Sequence, residues 1–169
     1  PVMTYSCACA SSAVAIGEAF WAIQQGRCEV ALVGGSEALI APGVVRAWEA
    51  LAALAKVDAN GQWQGPLDAL RNGLVLGEGA GCMVLESEEH AKRRGANILA
   101  ECLGYAQVND PQCVTHPQVA PQVKAMQQAL KHAGLRSEDV HYVNAHATGT
   151  RAGDASEIRA LNEVFGHTS

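Results

Sequence analysis

Two short segments of the sequence carry side chains that could do chemistry, one a thiol and the other an imidazole. Cys9 stands in residues 6–12, a run of small residues that leads into a helical pattern. The amino end of a helix presents unpaired N–H groups and the positive end of its dipole, which favour a thiolate over a thiol. Cys9 is therefore a candidate nucleophile, although most free cysteines are small buried residues and position alone leaves that alternative open.

His146 lies at the end of a predicted strand, between two alanines and shortly before Thr148 and Thr150. This setting combines little bulk with several hydrogen-bond donors, so the imidazole could polarise a carbonyl. A cysteine and a histidine far apart in sequence can meet in a fold, but spacing alone does not establish it. His141 fits a hydrogen-bonded place in a strand, and His90, His132 and His167 lie near helix ends, so none of these four is given a role. His116 lies in a loop that contains proline, and its role stays undecided.

The elements that would position Cys9 follow from the apolar pattern of the first part of the chain. Residues 2–5 predict a strand, residues 11–25 a helix that Gly26 ends, and residues 29–33 a buried strand. The two glycines that follow this strand indicate a close approach of another backbone. A strand, a helix and a strand in this order predict a parallel α/β unit.

The middle of the chain predicts a strand at 82–86, entered through the glycines of 77–81. These glycines are not a phosphate loop, because they precede a strand instead of opening a helix and no Gly-Lys-Ser/Thr follows. A charged helix over 88–94 and a long strand over 98–108 come next.

A second α/β unit is predicted after residue 117. Its elements are a helix over 123–133 ended by Gly134, a strand over 140–144, and a last helix opened by Asp154. Cys9 and His146 both stand in turns after predicted strands. Open α/β sheets place their chemistry at these carboxyl ends.

Composition narrows the class of protein. The 169 residues are 49% hydrophobic and 17% charged, with a net charge of -5. The charged fraction lies below the roughly 25% of an ordinary soluble domain. Together with the high hydrophobic fraction, this composition excludes a disordered chain. No apolar run approaches the roughly 18 residues of a membrane helix. Nucleic acid is an unsuitable partner, because the one basic group, residues 92–94, is better explained as a solvated helix end.

The six cysteines show no repeated spacing. They therefore favour a reduced, cytoplasmic setting over a disulfide framework. Without a C-x-x-C pair, and with scattered histidines, no metal site is expected.

Five blocks spread over the chain form a more specific pattern than any one of them. They are SCACASS at 6–12 with AIGEA at 15–19, VGGSEA at 33–38, PLDALRNG at 66–73, GEGAG at 77–81, and NAHATGT at 144–150 followed by Gly153 and Asp154. In this order they resemble the motifs of β-ketoacyl-acyl carrier protein synthases, the condensing enzymes of thiolase fold.

The resemblance implies a role for each matched residue. Cys9 would accept an acyl chain from a carrier-protein thioester, and His146 would stabilise the enolate formed as malonyl loses carbon dioxide. Thr148 and Thr150 would hold the phosphopantetheine arm, with simple turn capping as the alternative. Asp154 and Glu157 would support the charge network of the site, with a plain place at a helix start as the alternative.

The family fold is α/β, layered α/β/α/β/α. Residues 1–103 would be the latter part of its first half, with the nucleophile, and residues 104–169 the beginning of its second half, with the histidine. The implied partners are acyl carrier protein, with its phosphopantetheine-bound acyl and malonyl groups, and a second subunit in a homodimer or heterodimer. No cofactor or metal is expected.

The chain departs from the family pattern in ways that bear on acyl length more than on reaction type. Ala147 replaces a usual glycine, Arg151 a proline, Leu67 and Leu74 aromatic residues, and Cys113 a histidine. The family's second histidine with its lysine, and its Phe-Gly-Gly motif, do not follow His146. The chain is therefore expected to be a central piece of a longer protein and to be inactive alone.

Two other functions stay open at this point. The chain could belong to a non-catalytic synthase-like subunit that pairs with an active partner through residues 11–25 and 29–33. It could also be a cysteine hydrolase. That function would need a base oriented by a third group, which nothing in the sequence specifies.

Overall fold

The computed structural model describes residues 1–112 and 116–166. Its helices are α1 (Ser11–Gln24), α2 (Pro42–Ala50), α3 (Glu88–Arg93), α4 (Val119–Ala133) and α5 (Arg151–Phe165). Its strands are β1 (Val30–Ala38) and β2 (Glu78–Glu86), and a 3-10 turn spans Ser137–Asp139.

The chain folds as two compact units, each built from two stretches of sequence. The first unit joins Pro1–Ala38 to Glu78–Tyr105, and the second joins Leu39–Gly77 to Ala106–Ser169. Cys9 therefore belongs to the first unit and His146 to the second. The predicted division of the chain after residue 103 stays a prediction.

In the first unit, α1 packs against an antiparallel pair of strands. Val14 on the helix and Val33 on β1 are buried between them. Leu32 and Val84 are paired across the two strands and point to the other face, where they are 75% and 57% exposed. Successive strand residues alternate between faces, so the face opposite α1 carries exposed apolar side chains.

The helix also packs closely against two other parts of this unit. A Cβ added at Gly35 of β1 would lie 2.6 Å from the Cβ of Ser12, so the predicted close backbone approach is confirmed. A Cβ at Gly17 would lie 2.2 Å from the ring of Tyr105. That ring makes an edge contact with Trp21 at 5.0 Å between centroids. Burial raises the pKa of Tyr105 above its usual value.

In the second unit, α4 packs against α5. Val123 and Ala160 are buried, and Gln122 Nε2 donates to Ser156 Oγ at 3.2 Å. Gly134 adopts φ +67° and ends α4 as predicted, because glycine takes the left-handed conformation without a Cβ penalty.

The last helix begins earlier than predicted. It starts at Arg151 rather than at Asp154, because the Thr150 side chain caps it by accepting from the Gly153 N–H at 3.1 Å.

Several predicted strands are absent from the described residues. Residues 2–5, 98–108 and 140–144 are not strands, and the predictions for them were wrong. A strand needs a hydrogen-bonded neighbour, and in the described chain β1 and β2 pair only with each other. The parallel strand–helix–strand unit predicted within residues 2–33 was also wrong, since residues 2–5 form no strand and β1 instead pairs antiparallel with β2. The helices predicted at 11–25 and 88–94 and the strands at 29–33 and 82–86 are confirmed, the strands being longer than predicted.

Candidate functional site

Cys9 lies in a tight turn directly before α1. The Ala10 N–H donates to the Cys7 carbonyl and the Ser11 N–H to the Ala8 carbonyl, both at 3.1 Å. The Ser11 hydroxyl ties the turn together, accepting from the Cys7 N–H at 2.8 Å and donating to the Ala8 carbonyl at 2.7 Å. The Cys9 side chain is exposed, so the turn presents its thiol to solvent at the amino end of a helix.

His146 lies in a second turn, whose backbone is held by one carboxylate. Glu157 on α5 accepts from the His146 N–H at 2.6 Å and from the Ala147 N–H at 2.7 Å, using a different oxygen for each. Ala147 has φ +45°, a conformation that residues other than glycine rarely adopt. Glu157 therefore fixes the backbone from which the imidazole projects.

Asp154 is the fully buried centre of this site, with 0% exposure. Its two carboxylate oxygens accept from the Leu67 N–H at 2.7 Å and from the Gly149 N–H at 3.0 Å. Arg71 Nε lies 3.1 Å from Oδ2 and forms an ion pair without an aligned hydrogen bond. A buried carboxylate requires this kind of compensation. Asp154 thereby joins the 66–73 segment to the turn after His146.

The two threonines of the turn contact each other. Thr148 Oγ1 and Thr150 Oγ1 are 2.9 Å apart, and Thr150 Oγ1 also caps α5. Turn capping was the alternative role given to these threonines, and Thr150 does cap the helix. Thr148 lines a cavity, and its hydroxyl also accepts from the Thr150 N–H at 3.4 Å and lies 3.5 Å from Asp154 Oδ1.

The cavity beside His146 has a volume of about 300 Å³. Three segments of the second unit form its wall. The lining residues are Gln64, Pro66, Gly73, Leu74, Val75, His146, Ala147 and Thr148. The imidazole thus shares a partly apolar cavity with a hydroxyl and an amide.

The structure brings together five of the six predicted site residues. His146, Thr148, Thr150, Asp154 and Glu157 meet within the second unit. Cys9 belongs to the first unit, and its pairing with His146 stays a prediction. Cys113 and His167 lie outside the described residues.

Sequence reasoning assigned no role to Arg71 or Gln64. Arg71 lies in the matched 66–73 block, and a charged residue at a matched position was the signal that could have drawn attention to it. Gln64 carried no signal, because its place in the wall depends on the fold.

The basic residues at the end of α3 are all paired with carboxylates. Arg93 donates to Glu29 at 2.9 Å, Arg94 Nε donates to Glu86 at 2.8 Å, and Lys92 pairs with Glu88. Hydrogen bonding by Arg93 lowers the pKa of Glu29. These pairs fit the prediction of a solvated helix end.

No group of three or more His, Cys, Asp or Glu side chains among the described residues is placed to hold a metal ion. No helix in the described part of the chain is long and apolar enough to cross a membrane.

Family models match nearly the whole chain. Residues 1–91 match the β-ketoacyl synthase N-terminal domain, and residues 99–169 match the C-terminal domain. The curated relatives include nodulation protein E of Rhizobium meliloti, 47% identical over 98% of this chain. They also include 3-oxoacyl-[acyl-carrier-protein] synthase 2 of Staphylococcus aureus, 40% identical over 96% of this chain. The chain spans 40% and 41% of the lengths of these two proteins.

Solved structures of ketosynthases have the same fold. A β-ketoacyl synthase from Burkholderia phymatum STM815 superposes with a TM-score of 0.90 at 41% identity, over 95% of this chain and 40% of that one. A type II PKS ketosynthase, solved with its acyl-carrier protein and a bound hexaketide, superposes with a TM-score of 0.94 at 37% identity, over 99% and 42%. The fold is therefore a partial thiolase-like fold, as the resemblance implied. On these matches, the chain belongs to the β-ketoacyl synthase family.

Proposed function

We propose that the full-length protein carrying this chain catalyses a decarboxylative Claisen condensation in fatty acid or polyketide synthesis. Its substrates are an acyl group held on Cys9 and malonyl-acyl carrier protein, and its product is 3-oxoacyl-acyl carrier protein. The proposal concerns the full-length protein and not these 169 residues alone. Assembly as a homodimer or heterodimer and a cytoplasmic location belong to the same proposal.

The reaction has two stages. The Cys9 thiolate attacks the carbonyl of an acyl thioester, and the carrier thiol leaves with a proton. Malonyl thioester then loses carbon dioxide, and the His146 imidazole stabilises the enolate oxygen. The enolate carbon attacks the acyl-Cys9 carbonyl, forming a carbon–carbon bond and releasing the thiolate. The product is two carbons longer than the acyl group.

The observation that carries the proposal is the turn of His146 with its cavity. Glu157 fixes the backbone on both sides of the imidazole, because its carboxylate accepts from the His146 N–H at 2.6 Å and from the Ala147 N–H at 2.7 Å. The cavity of about 300 Å³ beside it holds part of a thioester arm. Thr148 and Thr150 supply hydroxyls for that arm, and Asp154 and Glu157 act as positioning residues.

Replacing Cys9 and His146 separately in the full-length protein tests the two stages. Cys9→Ala is expected to abolish transfer of an acyl group to the protein, because no other group takes that role. His146→Ala is expected to keep acyl transfer but to slow malonyl decarboxylation by about 100-fold or more, as loss of an oxyanion donor does. Mass spectrometry of the acylated protein and carbon dioxide release measure the two stages.

Cys28→Ala is the matched control, since Cys28 is a half-buried free cysteine of the same unit. This variant is expected to accept the acyl group normally. Unchanged acyl labelling of Cys9→Ala would overturn the assignment. Alkylation of Cys9 by iodoacetamide without any acyl transfer would instead favour the non-catalytic partner subunit.

A further inference from the structure

One polar side chain in the wall of the His146 cavity lies outside every matched block. Gln64 precedes the 66–73 block and is half-buried. It lines the cavity together with His146 and Thr148. Its amide could serve either as a donor or as an acceptor, so its orientation decides what it offers to a ligand.

Asp58 fixes that orientation. The Oδ1 atom of Asp58 accepts from the Asn60 and Gln62 N–H groups at 2.8 Å and 2.9 Å. The other oxygen, Oδ2, lies 3.2 Å from Gln64 Nε2. An ionised carboxylate only accepts hydrogen bonds, so the NH₂ group of Gln64 must point toward it. The carbonyl oxygen of Gln64 is then turned away from Asp58 and is left to accept from a ligand in the cavity that Gln64 lines.

The rest of the wall indicates an uncharged ligand. Pro66, Leu74, Val75 and Ala147 are apolar, and among the described residues that line the cavity there is no acid, lysine or arginine. About 300 Å³ lies at the lower end of the range for small-molecule sites. The cavity therefore fits a neutral arm of a ligand with few polar groups.

We propose that Gln64 is a specificity-determining residue, whose carbonyl accepts a hydrogen bond from an amide N–H in the arm that carries the thioester. Asp58 is its positioning residue. This inference rests on the proposed function, which brings a thioester arm to His146. An acceptor in the wall of a cavity disfavours a ligand that lacks the matching donor, because the bound ligand then leaves the acceptor unpaired.

Two thioesters that differ in one group test the inference in the full-length protein. The first is an N-acetylcysteamine thioester, and the second replaces its amide N–H by an ester oxygen. The protein with Gln64 and Asp58 unchanged is expected to bind the amide compound about three- to tenfold more tightly, the effect of one neutral hydrogen bond. Binding is measured by calorimetry on a Cys9→Ala background, so that no acyl transfer occurs.

Three variants identify the responsible group. Gln64→Met keeps a side chain of similar length without the carbonyl, and is expected to bring the ratio of the two affinities to about one. Asp58→Asn keeps an acceptor for the two backbone N–H groups but turns an NH₂ group toward Gln64. The Gln64 amide is then expected to turn over, and the preference to be lost. Gln62→Ala, an exposed glutamine of the same turn, is expected to keep the full preference.

Equal binding of the two thioesters by the unreplaced protein would overturn the inference. Full preference in Gln64→Met would overturn it as well. Circular dichroism checks that each variant is folded. Preference for the amide in a protein that performs no condensation would count against the proposed function and not against the role of Gln64.

Discussion

Several residues in the motif turns have a backbone conformation that glycine would adopt more easily. Ala8 before Cys9, Leu67 in the 66–73 block, and Ala147 after His146 have φ angles of +50°, +65° and +45°. A left-handed conformation destabilises a residue with a Cβ by roughly 1–2 kcal/mol. Hydrogen bonds oppose this strain, since Leu67 donates to Asp154 and Ala147 donates to Glu157.

The strain at Ala147 leads to a prediction about stability. Ala147→Gly is expected to raise the free energy of unfolding by up to about 1 kcal/mol. Relief of roughly 1–2 kcal/mol of strain exceeds the roughly 0.4–1 kcal/mol by which glycine favours the unfolded chain. Urea unfolding of the full-length protein measures the change.

Ala155→Gly is the matched control, because Ala155 is exposed within α5. This change should lower the free energy of unfolding by about 0.5–1 kcal/mol, as glycine does inside a helix. The opposite signs distinguish backbone strain from a general effect of glycine. Destabilisation of similar size in both variants would contradict the prediction.

The residues of the site could be named from the sequence, but their contacts could not. Asp154 and Glu157 were expected to support the site because their motif matched. The contact of Asp154 with Leu67 spans 87 positions of the chain, and no local pattern encodes such a pair. The orientation of Gln64 depends likewise on a turn whose place is set by the fold.

At the scale of elements, helices were predicted better than strands. α4 ends at Gly134 as predicted, and that signal is local in sequence. α5 was predicted as a helix, although its start after Thr150 was missed and placed at Asp154 instead. A strand instead needs a neighbour from elsewhere in the chain. Residues 140–144 have the β pattern without such a neighbour in the described chain, and Tyr142 is 79% exposed.

The junction between β2 and α3 contains a carboxylate whose titration affects stability. Glu86 accepts from Arg94 Nε at 2.8 Å and lies 2.7 Å from His90 Nδ1. Hydrogen bonds from Arg94 and then from His90 lower the pKa of Glu86 from 4.5 to about 2. The fold therefore favours the carboxylate. Its contribution is complete above pH 4.5 and is lost as the pH falls toward 2.

Glu86→Gln is expected to remove this part of the acid sensitivity. The thermal midpoint of the unreplaced protein should fall between pH 4.5 and 2. The variant should start from a lower midpoint near neutral pH and change less over the same window. Circular dichroism melts at several pH values measure this difference.

Glu89→Gln provides the control. Glu89 is 91% exposed and lies 3.8 Å from Arg93, a separation at which exposed ion pairs contribute little. This variant should keep the acid sensitivity of the unreplaced protein. Equal acid sensitivity in Glu86→Gln would show that other carboxylates control the transition.

At the scale of the whole molecule, the family followed from five blocks in order. The chain nevertheless spans about 40% of the length of its relatives. Its described residues leave large apolar side chains exposed, among them Val2 at 98% and Leu99 at 90%. A sequence pattern marks such residues as apolar, but it cannot tell which segment covers them. Which segment covers an apolar side chain depends on contacts between residues far apart in the sequence.

The exposed apolar face of the β1–β2 sheet leads to a prediction about self-association of the isolated 169-residue chain. Leu32 and Val84 form an apolar pair on this face, and exposed apolar patches and open strand edges promote association. The isolated chain is expected to self-associate at micromolar concentration in sedimentation velocity. Leu32→Lys should reduce this association, whereas Gln25→Lys adds the same charge at an exposed polar position and should change it little. A monomeric chain that unfolds cooperatively would contradict the prediction, since its apolar surface would then need no cover.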